Sequence, residues 1–321
     1  MLIASTDEAP LNTAPVPRAL SPWAWLGIGA GAAAIGFLPW IITGMRLPLQ
    51  NLWDLPTLPE DMPIVLLPFS QYSITLVAGI LVVGSALAGI VARVAHRRRD
   101  HRGLLALVAG AFGVQVVAIA YTATVVGSGL RPSFESMIYL AAVVAVAIAS
   151  FATGAVVLLL VARAPRAGAL IGLAIAAVVV VWWLDALVVP EVWQVSETQT
   201  AILGALQWVP ALLCGIAIAW CGVTTSGRIV AAVATIAILA VGPAFAMAII
   251  SAAGSRVLAR HLPEMADHAL RVFQQALISP ELTLRPVVAA FFVAIIGLAA
   301  SEVLWRRRTA AARTPIAPRR G

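Results

Sequence analysis

Residues 104–126, LLALVAGAFGVQVVAIAYTATVV, run without one charged side chain, and residues 137–161, MIYLAAVVAVAIASFATGAVVLLLV, do so again. A helix on the surface of a water-soluble protein alternates apolar and polar faces with a period near 3.6 residues, and neither stretch does. About 20 apolar residues suffice to cross the hydrocarbon core of a bilayer as a helix, which satisfies every backbone N–H and C=O internally. The two stretches therefore predict consecutive membrane helices.

Working outward from them, six further stretches meet the same length requirement: residues 23–43, 72–93, 167–188, 200–221, 229–252 and 286–305. The expected fold is an all-α integral membrane protein, a polytopic bundle of about eight transmembrane helices. Gln207 and Pro210 interrupt the sixth stretch, and Gly242-Pro243 is expected to break the seventh near its centre. Composition agrees: 61% hydrophobic against 11% charged residues, with a mean hydropathy of +0.98, leaves too little polar surface for a soluble globule of this length.

All 21 basic residues apart from histidine are arginine, and their placement predicts orientation. Fifteen fall in the two tails and the loops around residues 93–103, 162–166 and 222–228, and six fall on the opposite side. Short arginine-rich loops stay in the cytoplasm, so both termini are expected inside. Trp23, Trp25, Trp220 and Trp305 fall near inner helix ends, and Trp40, Trp182, Trp183 and Trp193 near outer ones, as aromatic belts. Arginine in place of lysine, with abundant Ala, Val, Leu and Gly, fits a GC-rich bacterial genome and hence the bacterial cytoplasmic (inner) membrane. The +7 charge sits beside hydrophobic segments, which reads as topology rather than a nucleic-acid-binding face. The expected partners are the lipid bilayer and other membrane subunits, with no nucleic acid.

The domain reading follows: residues 1–22 a disordered cytoplasmic tail, 23–305 the transmembrane helical domain, and 306–321 a basic cytoplasmic tail. Cys214 and Cys221 lie two helical turns apart in one apolar segment, about 10 Å, too far for a disulfide. The first outer loop, residues 44–71, carries five prolines and several leucines, and is expected to lie along the interface or dip back into the protein. In the fourth, Met265, Ala269, Phe273 and Ala276 recur at helical spacing, which predicts an amphipathic helix on the outer surface.

A faint internal similarity divides the chain into two groups of four helices. SQYSITLVAGI from Ser70 to Ile80 can be laid on SETQTAILGAL from Ser196 to Leu206, and Leu130-Arg131-Pro132 recurs as Leu284-Arg285-Pro286. Such a weak 4+4 repeat implies two halves related by an axis along the membrane normal, with a site near their junction.

Several chemistries are excluded by residue type. No histidine falls in a predicted membrane span, against a bis-histidine haem site in the bundle; no lysine exists for a Walker phosphate loop; no helix carries the paired His and Glu of the zinc proteases. No cofactor is expected. Asp185, just below Trp182-Trp183, is either a working carboxylate or an interfacial group reaching water, with Arg131 and Arg285 as candidate ion-pair partners. Gln115 and Gln207 are polar at depth, with Tyr121 outward of Gln115; they mark a pathway or make interhelical hydrogen bonds. Pro243 supplies a bend. Glu302 is most simply a partner for the arginines at 306–308. Gly27-xxx-Gly31 and Gly168-xxx-Gly172 allow close helix approach.

Glu60-Asp61 resembles in placement the acidic pair that polytopic glycosyltransferases using polyprenyl-phosphate sugars carry in their first extracytoplasmic loop. The resemblance implies a carboxylate acting as base or metal ligand at headgroup level; the plain alternative is an acidic pair in a solvated loop. Three functions follow. A transporter or permease-type component with a site opening to the outer face leads, ahead of a membrane enzyme acting on a lipid-linked substrate at the outer leaflet through Glu60 and Asp61, and a non-catalytic subunit of an envelope complex.

Overall fold

A computed structural model of the chain describes residues 20–96, 101–189, 196–255 and 261–312. Residues 1–19 and 313–321, most of the two expected tails, lie outside the described residues, as do Trp193, Arg256, Arg260 and residues 97–99.

The described residues form helices α1 (Pro22–Gly36), α2 (Leu38–Ile42), α3 (Ile74–Val94), α4 (His101–Gly129), α5 (Phe134–Arg163), α6 (Arg166–Val188), α7 (Glu197–Leu206), α8 (Val209–Cys221), α9 (Ser226–Gly254), α10 (Leu262–Ile278) and α11 (Arg285–Ala312), with a π-helical turn at Pro280–Leu284. Among the described residues, seven helical stretches are long and apolar enough to cross a membrane: α3, α4, α5, α6, Glu197–Cys221, α9 and Pro280–Leu304. An all-helical bundle of this kind is consistent with a multi-pass membrane protein.

The first expected span is present as two pieces, α1 and α2, divided at Phe37. Pro39 explains the division: it has no N–H to give and its ring crowds the carbonyl one turn earlier. The sixth is divided between α7 and α8 at Gln207 and Trp208. The expected break at Pro243 is not made, and this corrects the sequence reading: α9 runs through it from Ser226 to Gly254. Neighbouring helices hold the backbone on course where a proline removes one hydrogen bond. The last helix continues to Ala312, and within it Glu302 accepts from Arg306 at 2.8 Å.

Two groups of four segments share one packing scheme. In the first, α1 packs on α4, α3 on α5 and α1 on α3; in the second, α6 packs on α9, α8 on α11 and α6 on α8. The groups meet where α6 lies against α3 and α5, so α3 is central and the most buried candidate span. The Ser70/Ser196 alignment, extended without a gap, pairs Gly89 with Gly215, and both are close-approach points to the fourth segment of their group. A Cβ on Gly89 would stand 3.1 Å from both Leu158 O and Val161 Cβ; on Gly215 it would stand 2.7 Å from Ala290 O and 2.6 Å from Val293 Cβ. That equivalence sets Leu158 against Ala290, which lie 27 residues past Arg131 and five past Arg285 respectively. The two Leu-Arg-Pro triplets therefore do not occupy corresponding positions.

The 44–71 loop dips into the first group. Met62, Val65, Leu67 and Phe69 are fully buried among Val77, Ile80 and Leu81 of α3, Ala118 of α4 and Ala147 of α5. Its backbone groups are met there: Trp40 Nε1 donates to Val65 O at 2.9 Å, Leu67 N to Thr122 Oγ1 at 3.0 Å, and Gln50 Nε2 to Phe69 O at 2.9 Å. Tyr139 OH holds Gln50 in turn, donating to its Oε1 at 2.6 Å. Because the loop is core, Phe69→Ala is expected to cost about 3–5 kcal/mol, read as a lower unfolding temperature in detergent. Leu55→Ala, at a loop leucine 68% exposed, should leave it unchanged.

Helix α10 packs against α9. Ala276 is buried, and His268 Nε2 and Ser251 Oγ of α9 share a hydrogen bond of 2.8 Å. Glu264, Asp267, Arg271 and Gln274 face away.

Candidate functional site

At the end of the bundle opposite the arginine-rich connections, the second group of helices leaves a space that the 44–71 loop fills in the first. It is a cavity of about 210 Å³ between α6, the α7–α8 break, α9 and the π-helical turn. Asp185, Gln207 and Pro243, three of the residues singled out in the sequence, all line it. Trp182, Pro210 and Glu281 complete its polar and curved wall.

Each polar group reaches the cavity for a local reason. Asp185 sits in the last turn of α6, and its carboxylate makes no hydrogen bond or ion pair among the described residues. Gln207 caps α7 where the helix breaks, its Nε2 turned back to Gly204 O at 2.7 Å. Glu281 stands on the π-helical turn and accepts from Arg285. The three wall prolines, Pro210, Pro243 and Pro286, cannot donate to the carbonyls one turn earlier. Two residues bearing those carbonyls, Leu239 and Leu282, face the same cavity. The Asp185 carboxylate and the Gln207 amide on the wall of this small, largely apolar space are oxygen donors suited to a cation or a proton.

The remaining candidates lie elsewhere. Gln115 is fully buried in the first group, its Nε2 donating to Leu81 O at 2.9 Å and to Ser85 Oγ at 3.1 Å, which is the interhelical alternative raised for it. Tyr121 is exposed, with its hydroxyl 3.4 Å from Ile64 O of the loop. Glu60 and Asp61 are exposed on a one-turn 3₁₀ helix, Pro59–Asp61. Neither expected partner of Asp185 reaches it: Arg131 pairs with Glu135 at 3.3 Å and Arg285 with Glu281, each four residues along its own chain. Each guanidinium is engaged one helical turn away, and among the described residues Asp185 keeps its carboxylate uncommitted.

Sequence reasoning missed Glu281, which reads as an ordinary loop acid between Pro280 and Leu282. It also took Trp182 and Trp183 together as belt residues. Trp182 lines the cavity, whereas Trp183 Nε1 donates to Gly36 O at 2.7 Å beside the α1–α2 division. A second, apolar groove of about 330 Å³ runs between α3, α5, α6 and α9 and shares Val178, Trp182, Ala246 and Ile250 with the cavity. At the other end, Arg93 of α3 donates to the carbonyls of Val161 and Ala164 at the end of α5, and it shares Trp220 with Arg166. Arg93 thus closes the end of α5 through its last carbonyls.

Comparison of the chain with protein-family models, with curated proteins and with solved structures finds no match.

Proposed function

We propose that this chain is a transporter or permease-type component of a bacterial inner membrane, with eight spans, both termini in the cytoplasm, and the Asp185 cavity as its site. In this reading α1 and α2 together form the first span, and the cavity opens to the outer face. The observation that carries it is the cavity itself: an uncommitted carboxylate among oxygen donors, at the loop end of a bundle whose arginine-rich connections lie at the other. A carboxylate that binds and releases a cation or proton gives such a site a means of coupling.

The reading includes an internal duplication. The shared packing scheme and the Gly89/Gly215 correspondence support two four-span halves, one plugged by its first loop and one left open. The adjoining apolar groove favours a second reading, an enzyme or carrier for a lipid-linked substrate, whose chain would lie in the groove and whose polar end would reach the cavity.

The test is thiol labelling in intact cells, in a background with Cys214 and Cys221 replaced by alanine. Cysteines at Gln207, Ser133 and Gln274 are expected to react with an impermeant reagent, and one at Thr309 only in inverted vesicles. Labelling of Thr309 in intact cells would reverse the orientation, and a Gln207 cysteine reactive only from the cytoplasm would end the outward-opening site.

A further inference from the structure

The junction between the two halves has an unused counterpart at each end of the chain. At the junction, Gly168 and Gly172 of α6 press against α5: a Cβ on Gly172 would stand 3.0 Å from Leu160 Cβ and 3.1 Å from Val161 Cγ2, and one on Gly168 2.7 Å from Ala164 Cβ. If α1 and α6 are the first helices of equivalent halves, Gly27 and Gly31 are the counterparts of Gly168 and Gly172. The register holds elsewhere along the pair. It matches Gly36, which packs on Gly84, with Ala177, which clusters with Ala211 next to Pro210, the counterpart of Gly84. Yet no described residue lies within 4 Å of a Cβ on Gly27 or Gly31.

The other side of the junction is also repeated and also bare. The Leu158/Ala290 equivalence makes Phe292 and Ile296 of α11 the counterparts of Leu160 and Ala164, the residues that cover the α6 glycines. Phe292 is 59% and Ile296 67% exposed, on the least buried of the seven candidate spans. Among the described residues the chain thus carries two unfilled surfaces, a glycine face on α1 and an apolar face on α11, and a filled internal example of how such surfaces fit.

We infer that the protein assembles with itself head to tail, the Gly27–Gly31 face of one copy seated on Phe292 and Ile296 of the next, repeating the α5–α6 junction between chains. A small-xxx-small face lets backbones approach closely, and van der Waals packing is the main drive for helix association in lipid. Because the two surfaces differ, the contact is heterologous, and it produces rings or open chains rather than a two-fold dimer. The inference rests on the duplication reading, and not on what the cavity binds.

Two chains with different tags, both lacking Cys214 and Cys221, are co-expressed, one with Gly31→Cys and the other with Phe292→Cys, and oxidised in native membranes. A covalent heterodimer is expected, and a chain carrying both substitutions should give a ladder. Gly31→Leu meets no described residue of its own chain, so it should keep its unfolding temperature while its mass in mild detergent falls to that of a monomer. Four results would each overturn the assembly: no heterodimer although both thiols react with a small maleimide; a Gly31→Cys chain linking to itself; a link to a different protein; or Gly31→Leu remaining oligomeric. Labelling of the Gln207 cysteine scores the cavity independently, so either reading can fall without the other.

Discussion

Replacing Gly29 or Gly110 with valine is expected to abolish accumulation of folded protein, whereas Gly31→Val, two residues from Gly29 on the same helix, leaves the fold of the single chain intact. A Cβ on Gly29 would stand 2.0 Å from Leu107 O, and one on Gly110 2.1 Å from Leu26 O. Both obstacles are backbone carbonyls, which cannot rotate out of the way as a side-chain tip can. Helices α1 and α4 would have to separate along their whole contact, undoing the packing of Trp25, Ala32, Leu104, Leu107 and Ala111, all buried there. Overpacking a core with side chains able to yield costs about 1–3 kcal/mol, and separating two backbones costs more, against a total stability of about 5–15 kcal/mol. Fluorescence-detected size exclusion of the solubilised protein reads the outcome directly. A monodisperse Gly29→Val protein with unchanged unfolding temperature would show that α1 and α4 do not meet in this register.

The same pair of glycines explains which parts of this fold a sequence reader can see. Helix number and length were legible within one span, because the bilayer imposes them through charge-free runs such as residues 137–161. Helix facing was not. Lipid tails are as apolar as leucine, so the side of α1 that meets α4 and the side that meets no described residue are both apolar. The Gly27-xxx-Gly31 pattern was visible, but the helix makes its internal contact through Gly29. Likewise Pro39 and Pro210 divide their helices while Pro243 does not, since the outcome depends on what surrounds the freed carbonyl. The site was half legible. Asp185 and Gln207 declared themselves as polar groups in apolar segments, whereas Glu281 entered only through the packing of the π-helical turn against α9.

Asp185→Asn is expected to remove the protein's response to cations while leaving its fold unchanged. The carboxylate makes no ion pair or hydrogen bond among the described residues and faces a cavity whose other oxygens are neutral, save Glu281, already joined to Arg285. A ligand bound only by the folded state raises the unfolding temperature as its concentration rises. The wild type should therefore be stabilised by sodium or potassium at constant ionic strength, with choline as the balancing ion, or by acidification if the proton is the ligand. Asparagine keeps the shape and loses the charge. An interaction with an ionised group contributes about 1.5–3 kcal/mol, so the variant should bind roughly tenfold to a hundredfold more weakly and its unfolding temperature should no longer follow the titration. Asp185→Ala separates packing from charge: if it loses the same response at the same basal stability as Asp185→Asn, the carboxylate itself is the receptor. A wild type indifferent to sodium, potassium and pH, or an Asp185→Asn protein that follows them as the wild type does, would remove Asp185 from the site.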